Sequence, residues 1–215
     1  MVTEQKIKLT IVRHGETHWN KERRIQGQID VPLNAKGIAQ ASAVADKLKP
    51  KTFNGIVSSD LSRARQTAEP SIRTDQGFAL EPLLRERHLG VLEGLFVSEA
   101  KKQNAEDLKA FQDRSFAFTP SGAESMSEFI GRVQRSLVKI HQSFKKGNVL
   151  VVTHGGVIDV LWRLANNIEA GNKERPTIEN GSIHQFIYNF ETGNVNIESF
   201  NQTDHLRQLT TLSDL

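Results

Sequence analysis

The sequence predicts an α/β fold in which a sheet lies between layers of helices. Short apolar segments that resemble buried strands alternate along the chain with longer segments whose apolar residues recur at helical spacing. The two clearest strand segments are almost continuously apolar, which is typical of a sheet that is covered on both faces. In such sheets ligands bind beyond the carboxyl ends of the strands, so a functional site is expected there.

The predicted elements of the N-terminal half follow one another at short intervals: a strand over 7–12, a helix over 37–48, a strand around 56–57 and a helix ending at 68. The first strand is rich in β-branched residues and stops at a polar tripeptide, Arg13-His14-Gly15. The first helix is closed by Pro50. Because a carboxylate can accept a hydrogen bond from a first-turn N–H, Asp60 is the predicted N-cap of the second helix.

The C-terminal half contains the longest amphipathic pattern and then a second apolar strand: a helix over 126–144, a strand over 149–152, a helix over about 157–165, and strands over 182–188 and 195–200. Ser125 is the predicted cap of the long helix. The last two strands flank a turn at 191–194. Because the chain has no internal repeat, low-complexity tract or linker, we expect residues 1–215 to form one domain.

The composition is that of an ordinary globular protein and excludes several kinds of function. Hydrophobic residues make up 37% and charged residues 25% of the 215 residues, and no apolar run is long enough to span a bilayer. The first residues lack the apolar segment of a secretory signal, so none is expected. Without cysteine there is no disulfide, thiolate metal site or cysteine nucleophile, and we expect a cytoplasmic protein.

The charge of the chain is compatible with an anionic ligand. The net charge is +3 and the sequence pI is about 9.2, which suits a small anionic substrate as well as a nucleic acid. The basic residues do not cluster into a stripe, and with 7% aromatic residues few side chains are available for base stacking. We therefore expect neither a nucleic acid nor a membrane as a partner.

Two strand ends have the clearest functional signature, because each is followed by a histidine and a glycine. His14 follows the first strand, and His154 follows the strand over 149–152. One such histidine could simply cap a strand, but two in one α/β chain are hard to explain by packing alone. Arg13 offers a planar guanidinium suited to phosphate oxygens, and a helix starting after Gly155 would direct free N–H groups at an anion.

Charged residues between the two histidines add to this pattern. Arg63 and Arg65 follow the short second strand, and Arg63 lies near the start of the predicted helix, from which it could reach a phosphate. Arg65 is expected on a solvated helix face. Glu86 lies between two arginines, where a lone glutamate would most often form a surface ion pair.

The order of these segments resembles the histidine phosphatase superfamily, in the branch of the cofactor-dependent phosphoglycerate mutases and their phosphatase relatives. The resemblance covers nearly the whole chain and rests on an ordered set of motifs: Arg13-His14-Gly15-Glu16-Thr17 with Trp19-Asn20, Ile25-Gln26-Gly27, 33–37, 58–68, 86–90, 122–125, Thr153-His154-Gly155 and Asn180-Gly181-Ser182. It implies a phosphoglycerate mutase-like fold, which is a three-layer sandwich with a mostly parallel central sheet flanked by helices.

The resemblance also implies a metal-independent phosphomonoester hydrolase that works through a phosphohistidine, with a small phosphorylated metabolite as substrate and no cofactor. His14 would be the nucleophile and Glu86 the general acid and base, and the phosphate would be surrounded by Arg13, Arg63 and His154. The rest of the substrate would be bound by Asn20, Gln26, Gly27, Arg87 and Gly155. The attacking nitrogen of His14 must be unprotonated, a form that histidine reaches near pH 7.

A variable lid over about 95–120 is also implied by the resemblance. Its candidate apolar lining residues are Phe96, Phe116, Phe118 and, with simple helix packing as the preferred interpretation, Phe111. No metal is needed in this scheme, and the seven histidines show neither HxH nor HExxH spacing. His141, in the long helix, is expected at the surface.

Two activities of the family share the catalytic residues, so other positions must separate them. The mutases usually present a tyrosine and a lysine after the catalytic glutamate, where this chain has Leu89 and Val97. They also carry an insertion with paired arginines, where this chain offers Arg114 alone. Both differences remove polar contacts for a small, highly charged acid, so a phosphatase is favoured. A 2,3-bisphosphoglycerate-dependent phosphoglycerate mutase is the alternative, and a non-catalytic module that binds phospho-ligands is a remote one.

Overall fold

The fold is built around a six-stranded sheet. The structure is a computed structural model that describes residues 6–73, 77–169, 172 and 174–210. The strands are β1 (Lys6–Arg13), β2 (Gly55–Ser58), β3 (Phe78–Leu80), β4 (Gly147–Thr153), β5 (Ile183–Asn189) and β6 (Val195–Gln202). They lie side by side in the order β3-β2-β4-β1-β5-β6.

Parallel pairing brings strand ends to one edge of this sheet. β4 lies between β1 and β2 and is parallel to both, and β2 is also parallel to β3, whereas β5 is antiparallel to β1 and β6. In this register Arg13 is the partner of Thr153. The next residues of these two strands, His14 and His154, therefore lie at the same carboxyl edge.

Helices cover both faces of the sheet. They are α1 (His18–Glu22), α2 (Ala35–Leu48), α3 (Ser62–Ala68), α4 (Val97–Gln103), α5 (Ala105–Asp113), α6 (Met126–Phe144), α7 (Gly155–Asn166) and α8 (Arg207–Thr210). One face of the sheet buries Leu9 and Ile11 against α6 and α7, and the other buries Val12 and Leu150 against α2 and α3. This arrangement confirms the predicted three-layer sandwich. No helix in the described part of the chain is long and apolar enough to cross a membrane.

A third apolar cluster lies apart from the two faces of the sheet. Its buried members are Ile25, Leu89, Leu92, Ala100 and Leu108, and they come from α4, α5 and the loops packed against them. The segment that the resemblance marks as a variable lid, about 95–120, therefore contains two short helices with a small core of their own.

The elements with strong apolar periodicity are present close to their predicted positions. α6 begins and ends where its pattern predicts, and Ser125 caps it by accepting the N–H of Glu128 while the Glu128 carboxylate accepts the N–H of Ser125. The other predicted strands and helices differ from the observed ones by a few residues at their ends. β3, α4 and α5 have no sequence-based prediction, because each is short and lacks a strong apolar period.

Two sequence predictions, one about the cap of α3 and one about a side chain of α6, are wrong. Asp60 does not cap α3, because its carboxylate accepts Nε of Arg85 at 2.7 Å; the first residue of α3 instead donates its N–H to Asp30 at 2.7 Å. His141 does not lie at the surface. It is 5% exposed, because its ring stacks on that of Phe190 with the ring centroids 4.4 Å apart.

A close approach of two glycines fixes the loop after β1 against the start of α2. A Cβ atom on Gly37 would lie 2.1 Å from the carbonyl oxygen of Glu16, and one on Gly15 would lie 2.5 Å from the carbonyl oxygen of Gly37. Both obstacles are backbone atoms, which cannot move aside as a flexible side chain can. This contact therefore holds the backbone next to His14 in place.

We expect Gly37→Ala to lower the free energy of unfolding by about 1–3 kcal/mol, because the added methyl group collides with the backbone. Urea denaturation measures this change. The matched control is Gly131→Ala in α6, where a Cβ atom meets Arg135 Nη1 at 3.4 Å. There the loss of glycine flexibility should raise stability by about 0.5–1 kcal/mol. Equal effects of the two substitutions would contradict this packing.

Candidate active site

A cleft of about 340 Å³ opens at the carboxyl edge of the sheet. Nine of the ten predicted site residues line it: Arg13, His14, Asn20, Gln26, Gly27, Arg63, Glu86, Arg87 and Gly155. The tenth, His154, is fully buried beside His14, with the two ring centroids 5.2 Å apart. The fold therefore gathers all the predicted residues at one place.

His14 is held in one tautomer by the backbone. Its own N–H extends the pairing of β1 with β4 by donating to the carbonyl oxygen of Thr153 at 2.9 Å. In the side chain, Nδ1 lies 2.7 Å from the carbonyl oxygen of Gly15. Because a carbonyl oxygen can only accept, Nδ1 carries the proton and Nε2 keeps its lone pair. Nε2 is therefore the nitrogen that is able to act as a nucleophile.

The surroundings of His14 also keep it uncharged. Burial lowers the pKa of His14 well below its ordinary value, and the positive charges of Arg63 and Arg13 act in the same direction. The hydrogen bond to the Gly15 carbonyl raises this pKa, but it is the smallest of these effects. The unprotonated form that nucleophilic attack requires is therefore the form present in the free protein at neutral pH.

Two arginines of the cleft are anchored to backbone carbonyls. Arg63, on the first turn of α3, donates from Nη1 to the carbonyl of Ile29 at 2.9 Å and from Nη2 to that of Gly27 at 2.8 Å. Arg13 donates from Nη1 to the carbonyl of Ile178 at 2.6 Å. The Nε atom of each arginine is buried and has no hydrogen-bond partner among the described residues. The two cations are thus fixed in place while a donor of each stays available.

Both arginines remain charged in this setting. Burial lowers the pKa of Arg13 and lowers that of Arg63 to about 10, and the Glu86 carboxylate raises both. A pKa of about 10 leaves the guanidinium protonated at neutral pH. Such fixed positive charge in a partly desolvated cleft is suited to the oxygens of a phosphate group.

His154 is the N-cap residue of α7, and its ring is uncharged like that of His14. Nε2 lies 2.8 Å from Oγ of Ser59, the residue that follows β2. Nδ1 is buried, and no described residue is its hydrogen-bond partner. Burial and the charge of Arg63 lower the pKa of His154 well below its ordinary value. A neutral ring with one unpartnered nitrogen beside two arginines can offer a hydrogen bond to a phosphate oxygen.

Glu86 is held at the start of α7 by two backbone N–H groups. Its Oε1 accepts the N–H of Arg87 at 2.8 Å, and its Oε2 accepts that of Gly156 at 3.0 Å. The helix N-terminus thus faces the carboxylate. A Cβ atom on Gly156 would lie 2.0 Å from Oε1 of Glu86, so a glycine at this position is what lets the carboxylate sit there.

Arg132 is a positioning residue that no motif of the sequence pointed to. From α6 it donates to the backbone carbonyls of Leu83, Arg85 and Glu86, and it pairs with the Glu124 carboxylate at 2.7 Å. It therefore clamps the segment that carries Glu86. The sequence offered one signal for this role, which is that Arg132 lies on the apolar side of a long amphipathic helix. A charged side chain is unfavourable there unless nearby acceptors satisfy it.

The remaining predicted binding residues supply donors and backbone to the cleft. The side-chain oxygens of Asn20 and Gln26 lie 3.1 and 3.0 Å from the Thr17 hydroxyl, which leaves their NH₂ groups for a ligand. Gly27 has a left-handed φ of +52°, and Gly155 is the first residue of α7.

Among the residues that the structure describes, no three His, Asp or Glu side chains lie close enough together to hold a metal ion.

The predicted lid contributes two side chains to the cleft, Phe111 and Arg114. Phe111 also packs against the third apolar cluster, so it has both a packing and a lining role. The prediction is wrong for the other three phenylalanines: Phe96 lies against the Arg24 guanidinium, Phe116 lines a separate cavity of about 160 Å³, and Phe118 is 44% exposed.

Comparison with known proteins settles the family of this chain. The model of the histidine phosphatase superfamily (branch 1) matches residues 9–203, a range that contains every predicted site residue. The chain belongs to the histidine phosphatase superfamily. This membership confirms the resemblance seen in the sequence and, with it, the enzyme class, which is phosphatase.

This histidine phosphatase has relatives with two kinds of name. It is 38% identical over 206 residues to phosphoglycerate mutase-like protein 4 of Arabidopsis thaliana, covering 93% of this chain and 87% of the relative. It is 38% identical over 177 residues to a metal-independent phosphoserine phosphatase of Arabidopsis thaliana, covering 79% of this chain and 74% of the relative. The solved structure of Bacillus stearothermophilus YhfR is similar with a TM-score of 0.85 and 26% identity, covering 93% of this chain and 99% of that one.

We expect Gly156→Ala to lower kcat of this histidine phosphatase by about 100-fold, because the methyl group displaces the carboxylate of Glu86, the predicted general acid and base, and a small misplacement of such a group is costly. Phosphate release from a chromogenic phosphomonoester measures the loss. Gly131→Ala is again the control and should leave kcat unchanged. Normal kcat in Gly156→Ala would show that the position of Glu86 does not matter to the reaction.

Buried histidines should make folding less stable in mild acid. His184 is fully buried, its Nδ1 accepts the N–H of Asn201, and burial lowers its pKa to about 3. The unfolded chain takes up this proton below about pH 6.5 and the folded chain does not, so stability is lost as the pH falls from 6.5. His14 and His154 act in the same direction.

Between pH 7.5 and 5.5, His184 alone should account for a loss of about 1 kcal/mol in the free energy of unfolding. Urea denaturation at the two pH values measures the loss in the wild-type protein and in His184→Gln. The variant should show a pH-dependent loss that is smaller by this amount, whatever its absolute stability. The same pH-dependent loss in both proteins would mean that His184 titrates normally in the folded state.

Proposed function

We propose that this histidine phosphatase hydrolyses a small phosphorylated metabolite without a metal ion, through a phosphohistidine on His14, with Glu86 as general acid and base. The observation that carries the proposal is the state of His14, whose Nε2 lone pair is free because Nδ1 is bonded to the Gly15 carbonyl. A cleft of about 340 Å³ suits a small ligand. The cytoplasm is the proposed location, in keeping with a chain without cysteine.

The phosphate group is proposed to bind among Arg13, Arg63 and His154, beside the nucleophile. This assignment is supported by the two guanidinium groups, which are fixed by backbone carbonyls. It is also supported by the buried Nε atoms of the arginines and the Nδ1 atom of His154, which lack partners within the described residues. Donors that are already oriented stabilise the charge of the transferring phosphoryl group with little reorganisation.

In the first step, Nε2 of His14 attacks phosphorus and the bond from phosphorus to the ester oxygen breaks. Glu86, which must be protonated when substrate binds, gives its proton to the leaving oxygen, so that a neutral alcohol departs. In the second step, the Glu86 carboxylate takes a proton from water, and the oxygen of that water attacks phosphorus. The bond from phosphorus to Nε2 then breaks, which releases inorganic phosphate and restores the lone pair of His14.

A phosphatase is favoured over a mutase by the residues near Glu86. Leu89 lines the cleft where the mutases usually present a tyrosine, and Val97, at the position of their lysine, is 38% exposed and is not one of the residues lining the cleft. The relative named as a metal-independent phosphoserine phosphatase supports hydrolysis, and the mutase-like relative keeps the alternative open. One observation favours a mutase. Arg114, the single arginine of the segment in which the mutases carry paired arginines, lines the cleft.

The test is release of phosphate from a panel of phosphomonoesters in the presence of EDTA, with mutase product measured in the same samples. We expect release that EDTA does not reduce, without isomerised 3-phosphoglycerate. We expect His14→Asn to lower kcat by roughly 10⁴-fold or more, because the nucleophile is lost. The control His18→Asn replaces an exposed histidine of α1 and should keep full activity.

Other outcomes would overturn parts of this proposal. Isomerisation that depends on 2,3-bisphosphoglycerate would make the enzyme a mutase. Activity that is lost in EDTA and restored by a divalent metal ion would contradict the metal-independent scheme. A folded protein that binds phosphate esters but turns over none of them would be a binding module.

A further inference from the structure

The peptide plane between Gly15 and Glu16 determines which nitrogen of His14 carries a proton. The carbonyl oxygen of this plane, that of Gly15, lies 2.7 Å from Nδ1 of His14. The N–H of the plane, that of Glu16, donates to Oε1 of Gln40 at 2.8 Å. The plane is therefore held on one side by the ring of His14 and on the other by a side chain of α2.

The orientation of this plane matters because a peptide presents an acceptor on one side and a donor on the other. The C=O and the N–H of a trans peptide are rigidly coplanar and point in opposite directions. If the plane between Gly15 and Glu16 turned over, an N–H would face Nδ1 of His14. Nδ1 would then accept, the single proton of the neutral ring would lie on Nε2, and the lone pair that attacks phosphorus would be lost.

The chain itself restricts this plane only weakly, because Gly15 has no Cβ and glycine has the least restricted backbone dihedrals. The preceding plane is fixed separately: its carbonyl, that of His14, accepts Nδ2 of Asn180 at 3.0 Å, and the N–H of Gly15 donates to Oγ1 of Thr67 at 3.0 Å. The Asn180 amide also reaches the Gly15 carbonyl, but at 3.3 Å. The bond to Gln40, at 2.8 Å, is therefore the shorter of the two that hold the second plane from outside the loop.

Gln40 lies within the fold and outside the cleft. It is 7% exposed and belongs to the buried side of α2, together with Ala41 and Val44, and it does not line the cleft. A buried amide is unfavourable among apolar residues unless it is hydrogen-bonded, and the N–H of Glu16 supplies that bond. Gly37, one turn earlier on α2, lets the backbone of Glu16 come this close because it has no side chain.

We propose that Gln40 is a positioning residue of this enzyme, which holds the peptide plane between Gly15 and Glu16 in the orientation that keeps the proton of His14 on Nδ1. The proposal rests on the proposed function, in which Nε2 of His14 attacks phosphorus. What matters at position 40 is then an acceptor oxygen and not bulk alone. Because Gln40 does not line the cleft, its replacement should lower kcat and leave KM nearly unchanged.

Two substitutions separate the acceptor from the bulk of the side chain. Gln40→Met keeps a similar length but has only a weak acceptor, whereas Gln40→Glu keeps an oxygen that can accept the N–H of Glu16. We expect Gln40→Met to lower kcat by about tenfold, because loss of one buried hydrogen bond shifts an equilibrium by about this factor. Gln40→Glu should keep most of kcat. Wild-type kcat in Gln40→Met, or an equal loss in both variants, would overturn the proposal.

Gln66 of α3 provides the matched control. Its Oε1 accepts the N–H of Leu33 at 2.8 Å, so Gln66→Met removes the same kind of hydrogen bond from a peptide outside the loop that carries His14. Urea denaturation should show a loss of stability in both Gln66→Met and Gln40→Met, but only Gln40→Met should lower kcat. An equal loss of kcat in the two variants would mean that Gln40 acts through general stability and not through His14.

The proton of His14 can be observed directly by NMR. In protein with isotope-labelled histidine, long-range proton–nitrogen spectra distinguish a protonated ring nitrogen from one with a lone pair, and the signals of His14 are those missing from His14→Asn. We expect a protonated Nδ1 and an unprotonated Nε2 in the wild-type protein and in Gln40→Glu, and a protonated Nε2 in a large fraction of Gln40→Met. A protonated Nε2 in the wild-type protein, or an unchanged tautomer in Gln40→Met, would contradict the proposal.

Hydrogen exchange of the Glu16 amide in the wild-type protein keeps the proposal falsifiable if Gln40→Met does not fold. We expect slow exchange, and fast exchange would show that Gln40 does not hold this plane.

The two proposals fail in different ways. A wild-type protein that released no phosphate from any ester would overturn the proposed function, whereas the tautomer of His14 is measured without substrate. Normal kcat and an unchanged tautomer in Gln40→Met would overturn the role of Gln40, while phosphate release by the wild-type protein still supported the proposed function.

Discussion

The structure depends on the parallel pairing of β1 with β4. In this register Arg13 is opposite Thr153, and the N–H of His14 continues the ladder by donating to the Thr153 carbonyl. Two histidines that are far apart in the sequence thereby come into ring contact. Because the side chains of a strand alternate between faces, a slip of one residue would separate them. The same pairing fixes where α7 begins, and so where its N-terminus meets Glu86.

A second feature is that two arginines of the cleft, Arg13 and Arg63, are held by neutral groups. Arg13 and Arg63 bond to backbone carbonyls, so their charge is positioned but not cancelled. By contrast, Arg132, which positions the Glu86 segment, is paired with a carboxylate, that of Glu124. Burial, and after it the field of these two positive charges, lowers the pKa of His14 and keeps it unprotonated. The same two charges thus suit the cleft to an anion and help to keep the His14 lone pair free.

Sequence reasoning recovers the parts of this molecule that are encoded locally. The sandwich follows from apolar strands and from helices as periodic as α6. The predicted site residues lie in or beside one cleft, and His14 and His154 do so because each directly follows a strand of the sheet. Contacts between distant segments are not encoded in this way. The cap of α3 comes from Asp30, the Glu86 segment is clamped by Arg132, and Arg114 is held by Asp159. Local patterns at these positions could not reveal their partners.

The central claim, that Nε2 of His14 carries the phosphoryl group, is tested most directly by trapping the intermediate. Rapid quenching in alkali during turnover, followed by peptide mass spectrometry and phosphorus NMR, identifies the modified residue and the nitrogen that bears the phosphorus. The structure predicts one phosphoryl group on Nε2 of His14, since Nδ1 is bonded to the Gly15 carbonyl. Phosphorus on Nδ1, on His154 or on any other side chain would contradict this account.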